Sequence, residues 1–371
     1  MAKRAPIRPP AISGHSYLRP LGSGGFAEVF LYEQDMPRRL VAVKVLPPLG
    51  ADPEARRTFE AEADITARLS THPSILTVYQ ASIAADGHPF IAMEYCPDSM
   101  SVRSRAARLP LDAVLDTGVR LAGALETAHR SGVLHRDIKP SNVLVSGLGR
   151  PVLSDFGISA ALDAEEHPEG IAMSIPWAAP ELIAKQTAGT VASEIWSLAA
   201  TLFSFAAQRS PFELPERTQN SREKIEARIR KGQYPGLPDP GAYGHLDAVL
   251  AQAMRPRPGD RFASMREFGE ALQEAQRAHG FDATPLDVIA EPWGQAAFAA
   301  ASVGDRGPVI SRVRAESRSS QRAAERAEAE PWTQASPRRP RLSPLAAGAI
   351  GAGAAALLLL GGSALLSGWL G

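Results

Sequence analysis

The stretch that leaves fewest folds open runs Val133-Leu134-His135-Arg136-Asp137-Ile138-Lys139-Pro140-Ser141-Asn142-Val143-Leu144, charged and amide side chains set in an apolar, β-branched frame. Leu153-Ser154-Asp155-Phe156-Gly157 follows, and then Ala179-Pro180-Glu181. Well upstream, Leu21-Gly22-Ser23-Gly24-Gly25-Phe26-Ala27-Glu28-Val29 sits where two strands should turn. Closely spaced glycines let backbone N–H groups approach phosphate oxygens without interference from Cβ, although the same run alone is also an ordinary flexible turn. Val41-Ala42-Val43-Lys44 places an ammonium in an apolar strand, which is costly unless an anion meets it. Glu62, on the next helical stretch, is the natural partner; the bland reading is a lysine snorkelling from a strand end.

Around these motifs the periodicities divide the chain. Tyr17–Leu31 and Leu40–Leu46 are β-branched and turn-bounded, so strands are expected. Pro53–Leu69 reads as a helix with Phe59, Ala63, Ile65 and Leu69 apolar, and helical stretches dominate beyond Pro97, notably Leu111–Ser131 and Val191–Ala207. A β-rich first third followed by a helix-rich remainder predicts two lobes. The expected organisation is a basic tail (1–15), a globular domain (16–276, divided at 95/96), an Arg/Glu/Ala/Ser/Pro-rich linker (277–342) and an apolar helix (343–370). Within the linker, the less polar 287–300 around Trp293 is a candidate for docking.

The motif order and spacing resemble the eukaryotic-type protein kinases, including their bacterial serine/threonine members, over roughly 16–275. The resemblance implies an α+β bilobal fold, with a β-rich N-lobe, a helical C-lobe and ATP between them. It also implies the residue roles. Lys44 would hold the α- and β-phosphates and Glu62 would orient it; Leu21, Gly22, Ser23, Gly24, Gly25 and Phe26 would cover the nucleotide. Val29, Ala42 and Leu144 would sandwich the purine, with ordinary core packing as their competing role. The Glu94 carbonyl and Cys96 N–H would face adenine. Asp137 would receive or position the substrate hydroxyl proton and Lys139 would touch the γ-phosphate. Asn142 and Asp155 would hold Mg2+, with Mn2+ as a substitute, and Glu181 would pair with Arg261. A lysine two residues after the aspartate resembles serine/threonine rather than tyrosine kinases.

Departures from the family pattern carry information. Ala27 stands for a third glycine, Met173-Ser174-Ile175 for Gly-Thr-Pro, Glu194 for an aspartate that anchors the catalytic loop, and Ala199 for a glycine. The longer Glu194 would keep the anchor with a shifted helix or leave the loop looser. Between Asp155 and Glu181 the only hydroxyls are Ser159 and Ser174, the latter expected to bridge Asp137 and Lys139, while Asp163, Glu165, Glu166 and Glu169 are acidic. Either a carboxylate stands in for phosphate opposite Arg136, or the acidic run is a solvated loop; intact-mass and peptide mapping of active enzyme separate the two.

The two termini and the bulk charge bound the setting. Net charge is +0, so no basic field points to nucleic acid, and the single cysteine, Cys96, excludes an internal disulfide framework. The basic, proline-rich start has no apolar core of a signal peptide. From Leu345 to Leu370 there is no charge, and at about 1.5 Å per residue that segment exceeds a bilayer core of about 30 Å. Arg338, Arg339 and Arg341 precede it, which by the positive-inside rule puts the globular domain in the cytoplasm of a single-pass protein at the cell membrane. Small residues at 347, 351 and 355 would allow a homodimer, and Trp369 could anchor the far interface. With nothing after Gly371, the expectation is that signals arrive through the linker or the lipid environment, or that the sequence is truncated. The expectation is thus a membrane-tethered kinase acting on unidentified protein substrates. The alternative is a pseudokinase scaffold that binds nucleotide or partners without turnover, and a small-molecule kinase is a third reading.

Overall fold

The computed structural model describes residues 7–23, 27–48, 53–156 and 174–289. Five strands, β1 (His15–Ser23), β2 (Glu28–Gln34), β3 (Arg39–Val45), β4 (Val78–Ile83) and β5 (Pro89–Glu94), form one antiparallel sheet in the order β1-β2-β3-β5-β4. Alternation decides what each face carries. Phe30, Tyr32, Val41, Val43, Val45, Phe90 and Ala92 make one apolar cluster, onto which Ile7 and Ile12 also pack. The intervening residues Val29, Leu31, Ala42 and Lys44 take the opposite face, where Val29 stands across from Lys44 and Leu31 across from Ala42. The N-terminal segment is fastened by Tyr32, whose hydroxyl donates to the Pro10 carbonyl at 2.7 Å.

Helix α1 (Pro53–Leu69) covers that second face. Phe59, Ala63, Thr66 and Leu69 are buried along it, whereas Ile65, expected on the apolar stripe, is exposed. The reason is angular: six residues past Phe59 is roughly 240° around a helix at about 100° per residue, so Thr66 takes the stripe position instead.

The second lobe begins with β6 (Asp98–Ser99), α2 (Met100–Ala106) and α3 (Leu111–Arg130). A short sheet in the order β6-β7-β8 follows, with β7 (Val143–Val145) and β8 (Pro151–Leu153). Then come α4 (Pro180–Ile183), α5 (Val191–Ala207), α6 (Arg222–Lys231), α7 (Pro240–Ala253) and α8 (Met265–Ala278). Helix α5 is buried from Ser193 to Ala207; its Ser197, Thr201 and Ser204 hydroxyls donate to carbonyls one turn back, which satisfies them inside the core. Its start is fixed by a reciprocal cap between Thr190 and Ser193. The lobes are stitched at the turn after α1: Leu76 N–H donates to the Leu153 carbonyl at 3.0 Å and Leu153 N–H to the Ser74 carbonyl at 2.9 Å.

This is the bilobal arrangement expected, a sheet-based N-lobe and a helical C-lobe. Among the described residues no helix is long and apolar enough to cross a membrane; the apolar span 343–370 lies outside them.

Candidate active site

The facing sheet and hairpin bring the charged motif residues to one cleft. Lys44 is buried on β3, and its Nζ lies 2.6 Å from Asp155 Oδ1. The ammonium holds the Asp155 carboxyl below the usual carboxylate range, with the Ser154 hydroxyl also donating to it at 3.3 Å. Glu62 falls on α1 but its side chain lies outside the described residues, so the partner observed for Lys44 is Asp155. Gly22 stands across from Val29 near the end of β1, with Leu21 at the register shift before it; Gly24, Gly25 and Phe26 lie outside the described residues, as does the Ser23 side chain.

The catalytic-loop residues are joined by hydrogen bonds. Asn142 is buried and donates from Nδ2 to the Asp137 carbonyl at 2.8 Å and to Asp137 Oδ2 at 3.2 Å. Lys139 Nζ sits 2.7 Å from Asp137 Oδ2 and donates to Ser174 Oγ at 3.0 Å, while Ser174 donates to Asp137 Oδ1 at 2.7 Å. Ser174 therefore bridges the two as the sequence suggested; Ser159 lies outside the described residues. Ser154 connects the two halves of the site, its N–H donating to the Asn142 carbonyl at 2.9 Å and its Oγ to the same oxygen at 3.2 Å.

Two residues hold strained backbone here, Arg136 at φ 67° and Asp155 at φ 63°, a left-handed conformation that side chains rarely adopt without support. For Arg136 the support is Glu194 on α5: its Oε1 accepts the Arg136 N–H at 2.6 Å and its Oε2 lies 2.6 Å from His129 Nε2. The longer side chain makes the anchor directly, and its other carboxylate oxygen meets His129, a residue with no signal in the sequence. For Asp155 the support includes His135, whose Nε2 donates to the Ser154 carbonyl at 2.8 Å while its ring packs 4.6 Å from that of Phe156.

The adenine-side candidates fall where strand register puts them. Ala42 is across from Met93, Leu144 lies on β7, and Glu94 ends β5 with its N–H on the Thr77 carbonyl at 2.9 Å. Cys96 follows in the connection between lobes. Burial, with Glu94 nearby, pushes its thiol up to about 12. A raised pKa keeps the thiol protonated, so thiolate is scarce at pH 8. Alkylation by iodoacetamide at that pH is expected to be at least about 10-fold slower than for a free cysteine; a rate equal to the free thiol would contradict the burial.

Asn142 Oδ1 and the Asp155 carboxylate are the hard oxygen donors of the kind that Mg2+ prefers. Among the described residues no group of three or more His, Cys, Asp or Glu is arranged to hold a metal alone. These two residues would hold such an ion together with oxygens of a bound phosphate.

A strand lysine, an Asp–Asn pair in the loop before β7 and a carboxylate paired to the lysine, between a sheet lobe and a helical lobe, are the arrangement of the kinase class of phosphotransferase folds. Residues 15–259 match the family model described as "Protein kinase domain", and the chain belongs to that family. It is 37% identical over 284 residues to the serine/threonine-protein kinase PknK of Mycobacterium tuberculosis (strain ATCC 25618 / H37Rv), which covers 74% of this chain and 25% of PknK. It is 33% identical over 294 residues to PknI of the same strain, over 75% of this chain and 46% of PknI. The crystal structure of the PknI kinase domain superposes with a TM-score of 0.53 and 31% identity, over 73% of this chain and 99% of that domain. The chain thus spans less than half the length of both curated relatives.

Proposed function

We propose that this chain is an active serine/threonine protein kinase, held by residues 343–370 at the inner face of the cytoplasmic membrane. The observation that carries the catalytic reading is the bonded series Lys44–Asp155, Ser154–Asn142, Asn142–Asp137 and Asp137–Ser174–Lys139. It supports a single triphosphate lying across all of these groups. In the reaction a serine or threonine hydroxyl oxygen forms a bond to the γ-phosphorus of ATP. The bond to the β–γ bridging oxygen breaks, ADP leaves, and the hydroxyl proton is taken up at the Asp137 carboxylate. Lys44 neutralises the α/β-phosphates and Lys139 the γ-phosphate. Mg2+, held by Asn142 and Asp155, would neutralise charge building on the phosphate oxygens. The pseudokinase reading differs in one observable only, binding without transfer.

The tether rests on sequence: an uncharged apolar segment from 345 to 370 preceded by Arg338, Arg339 and Arg341. The full chain is expected in the membrane fraction and resistant to alkaline carbonate, while a chain ending at residue 342 is expected in the soluble fraction. Full chain released by carbonate would remove the tether from the proposal. The small residues at 347, 351 and 355 support self-association of the span, which size analysis in detergent reads directly.

A further inference from the structure

After α8 the chain does not leave the domain. Gly280, at φ 75°, reverses it, with the Phe281 N–H donating to the Gln276 carbonyl at 2.9 Å. Residues 281–289 then run without regular structure along the groove between α3 and α8. Thr284 is buried and every polar atom it has is engaged. Its N–H donates to Gln276 Oε1 at 2.9 Å, its carbonyl accepts from Gln273 Nε2 at 2.8 Å, and its hydroxyl accepts from Gln276 Nε2 and donates to Asp116 Oδ1, each at 2.8 Å. Ile289 N–H donates to Thr127 Oγ1 at 3.1 Å. Successive contacts thus climb α3 from Asp116 through Gly123 to Thr127 as the segment advances from 284 through 287 to 289. An extended chain at about 3.3 Å per residue covers in three residues what a helix at about 1.5 Å per residue covers in seven, so the match in pitch holds along the whole segment.

The groove is shaped for this backbone. A Cβ on Gly123 would overlap the Asp287 carbonyl oxygen, and one on Gly269 would meet Leu286 Cδ1 at 2.7 Å. Both are helical positions, where glycine is disfavoured unless something passes close by. At the end of the groove the segment reaches the other lobe: His72 Nε2 donates to the Asp287 carbonyl at 2.9 Å, and His72 Nδ1 accepts the Ser74 N–H at 3.0 Å. A carbonyl can only accept and an amide N–H only donate, so these partners fix His72 as the neutral Nε2–H tautomer. His72 is buried in the turn three residues past α1, its N–H on the Leu69 carbonyl. Ser74 in turn accepts the N–H of Leu153, two residues before Asp155.

We propose that Thr284–Ile289 is an intramolecular strap that positions the turn 70–75, and through it α1 and the Asp155 end of β8, so that seating or lifting this segment changes nucleotide binding. The part concerning turnover rests on the kinase reading above; the part concerning nucleotide binding does not. His72 is a positioning residue in this scheme and touches no reacting group.

The test uses the full chain in three variants. Gly123→Ala places a methyl where the Asp287 carbonyl lies. Thr284→Val removes the hydroxyl's two bonds, to Gln276 and Asp116, without changing any residue of α3, so it serves if the first variant folds poorly. Gly244→Ala, at a helical glycine with open space around it, controls for helix propensity. Amide exchange by mass spectrometry and the Kd for Mg·ATP are read together. The expected result is faster exchange in 284–289 and in 70–75 for Gly123→Ala and Thr284→Val, with the Kd raised about 5- to 20-fold, within the range of ordinary coupling between sites, and neither change in Gly244→Ala. Faster exchange in the strap with an unchanged Kd overturns the proposal, as does unchanged exchange in both strap variants. A wild type that binds Mg·ATP but transfers no phosphate defeats the kinase reading and leaves this test standing.

Discussion

Asp137→Asn is expected to lower kcat for phosphate transfer to a serine- or threonine-containing protein by about 10²- to 10⁴-fold, the usual weight of a positioned proton acceptor. The substitution keeps the side chain's shape, so the change is chemical. Oδ1 now receives the Ser174 hydroxyl and Oδ2 faces both Lys139 and Asn142 Nδ2; an amide can satisfy only part of that donor set and takes up no proton. Because no contact to Lys44 or Asp155 is lost, the Kd for Mg·ATP should stay within about threefold. Labelled ATP on the wild type and the variant decides the matter. Transfer retained within tenfold would remove Asp137 from its role, and nucleotide binding with no transfer by the wild type would leave the scaffold reading.

The largest effect on stability is expected at Arg261. Its guanidinium has no exposed surface, and all five of its N–H donors are used. Two go to the Glu181 carboxylate, at 2.7 and 2.9 Å, and the rest to the carbonyls of Ala192, Arg255 and Pro256. Its flat face lies 5.0 Å from the Trp196 ring. Removing one partner of such a pair leaves a buried charge unmet, which costs about 3–5 kcal/mol. Arg261→Ala should therefore lose about that much in urea unfolding. Arg261→Lys should lose much of it too, since an ammonium keeps the charge but cannot make the paired bonds of the fork. A loss below about 1 kcal/mol in both variants would show that the pair is dispensable to the C-lobe.

Much of the site was legible because phosphate-transfer chemistry restricts residue types at fixed spacings along short loops. Lys44, Asp137, Lys139, Asn142, Asp155 and Ser174 form one network, and the spacing within Asp137–Asn142 already requires a tight turn. The helices Pro53–Leu69 and Val191–Ala207 also begin and end where their periodicity puts them. What was less legible depends on pairs distant in sequence. His129 gave no local signal, since its partner Glu194 is brought to it only when α3 packs on α5. The Lys44–Asp155 contact spans the cleft in the same way, as an ammonium takes whichever carboxylate the packing presents. Ile65, one of the apolar positions of its helix, is exposed because one residue of phase turns a side chain by about 100° around the axis. Residues 281–286 fall within the expected linker and 287–289 at the start of the candidate docking stretch; only the groove that Gly123 and Gly269 leave open shows where they bind.

The sequence by itself determined the family, the two-lobed division and the identity of the charged groups, because these follow from local pattern and from the cost of placing unpaired charge in apolar surroundings. The tertiary structure alone decided which charges meet, what supports the left-handed backbone at Arg136 and Asp155, and that the chain past α8 turns back across both lobes. Those outcomes depend on helix packing and close backbone approach, and neither is written in any short stretch of residues.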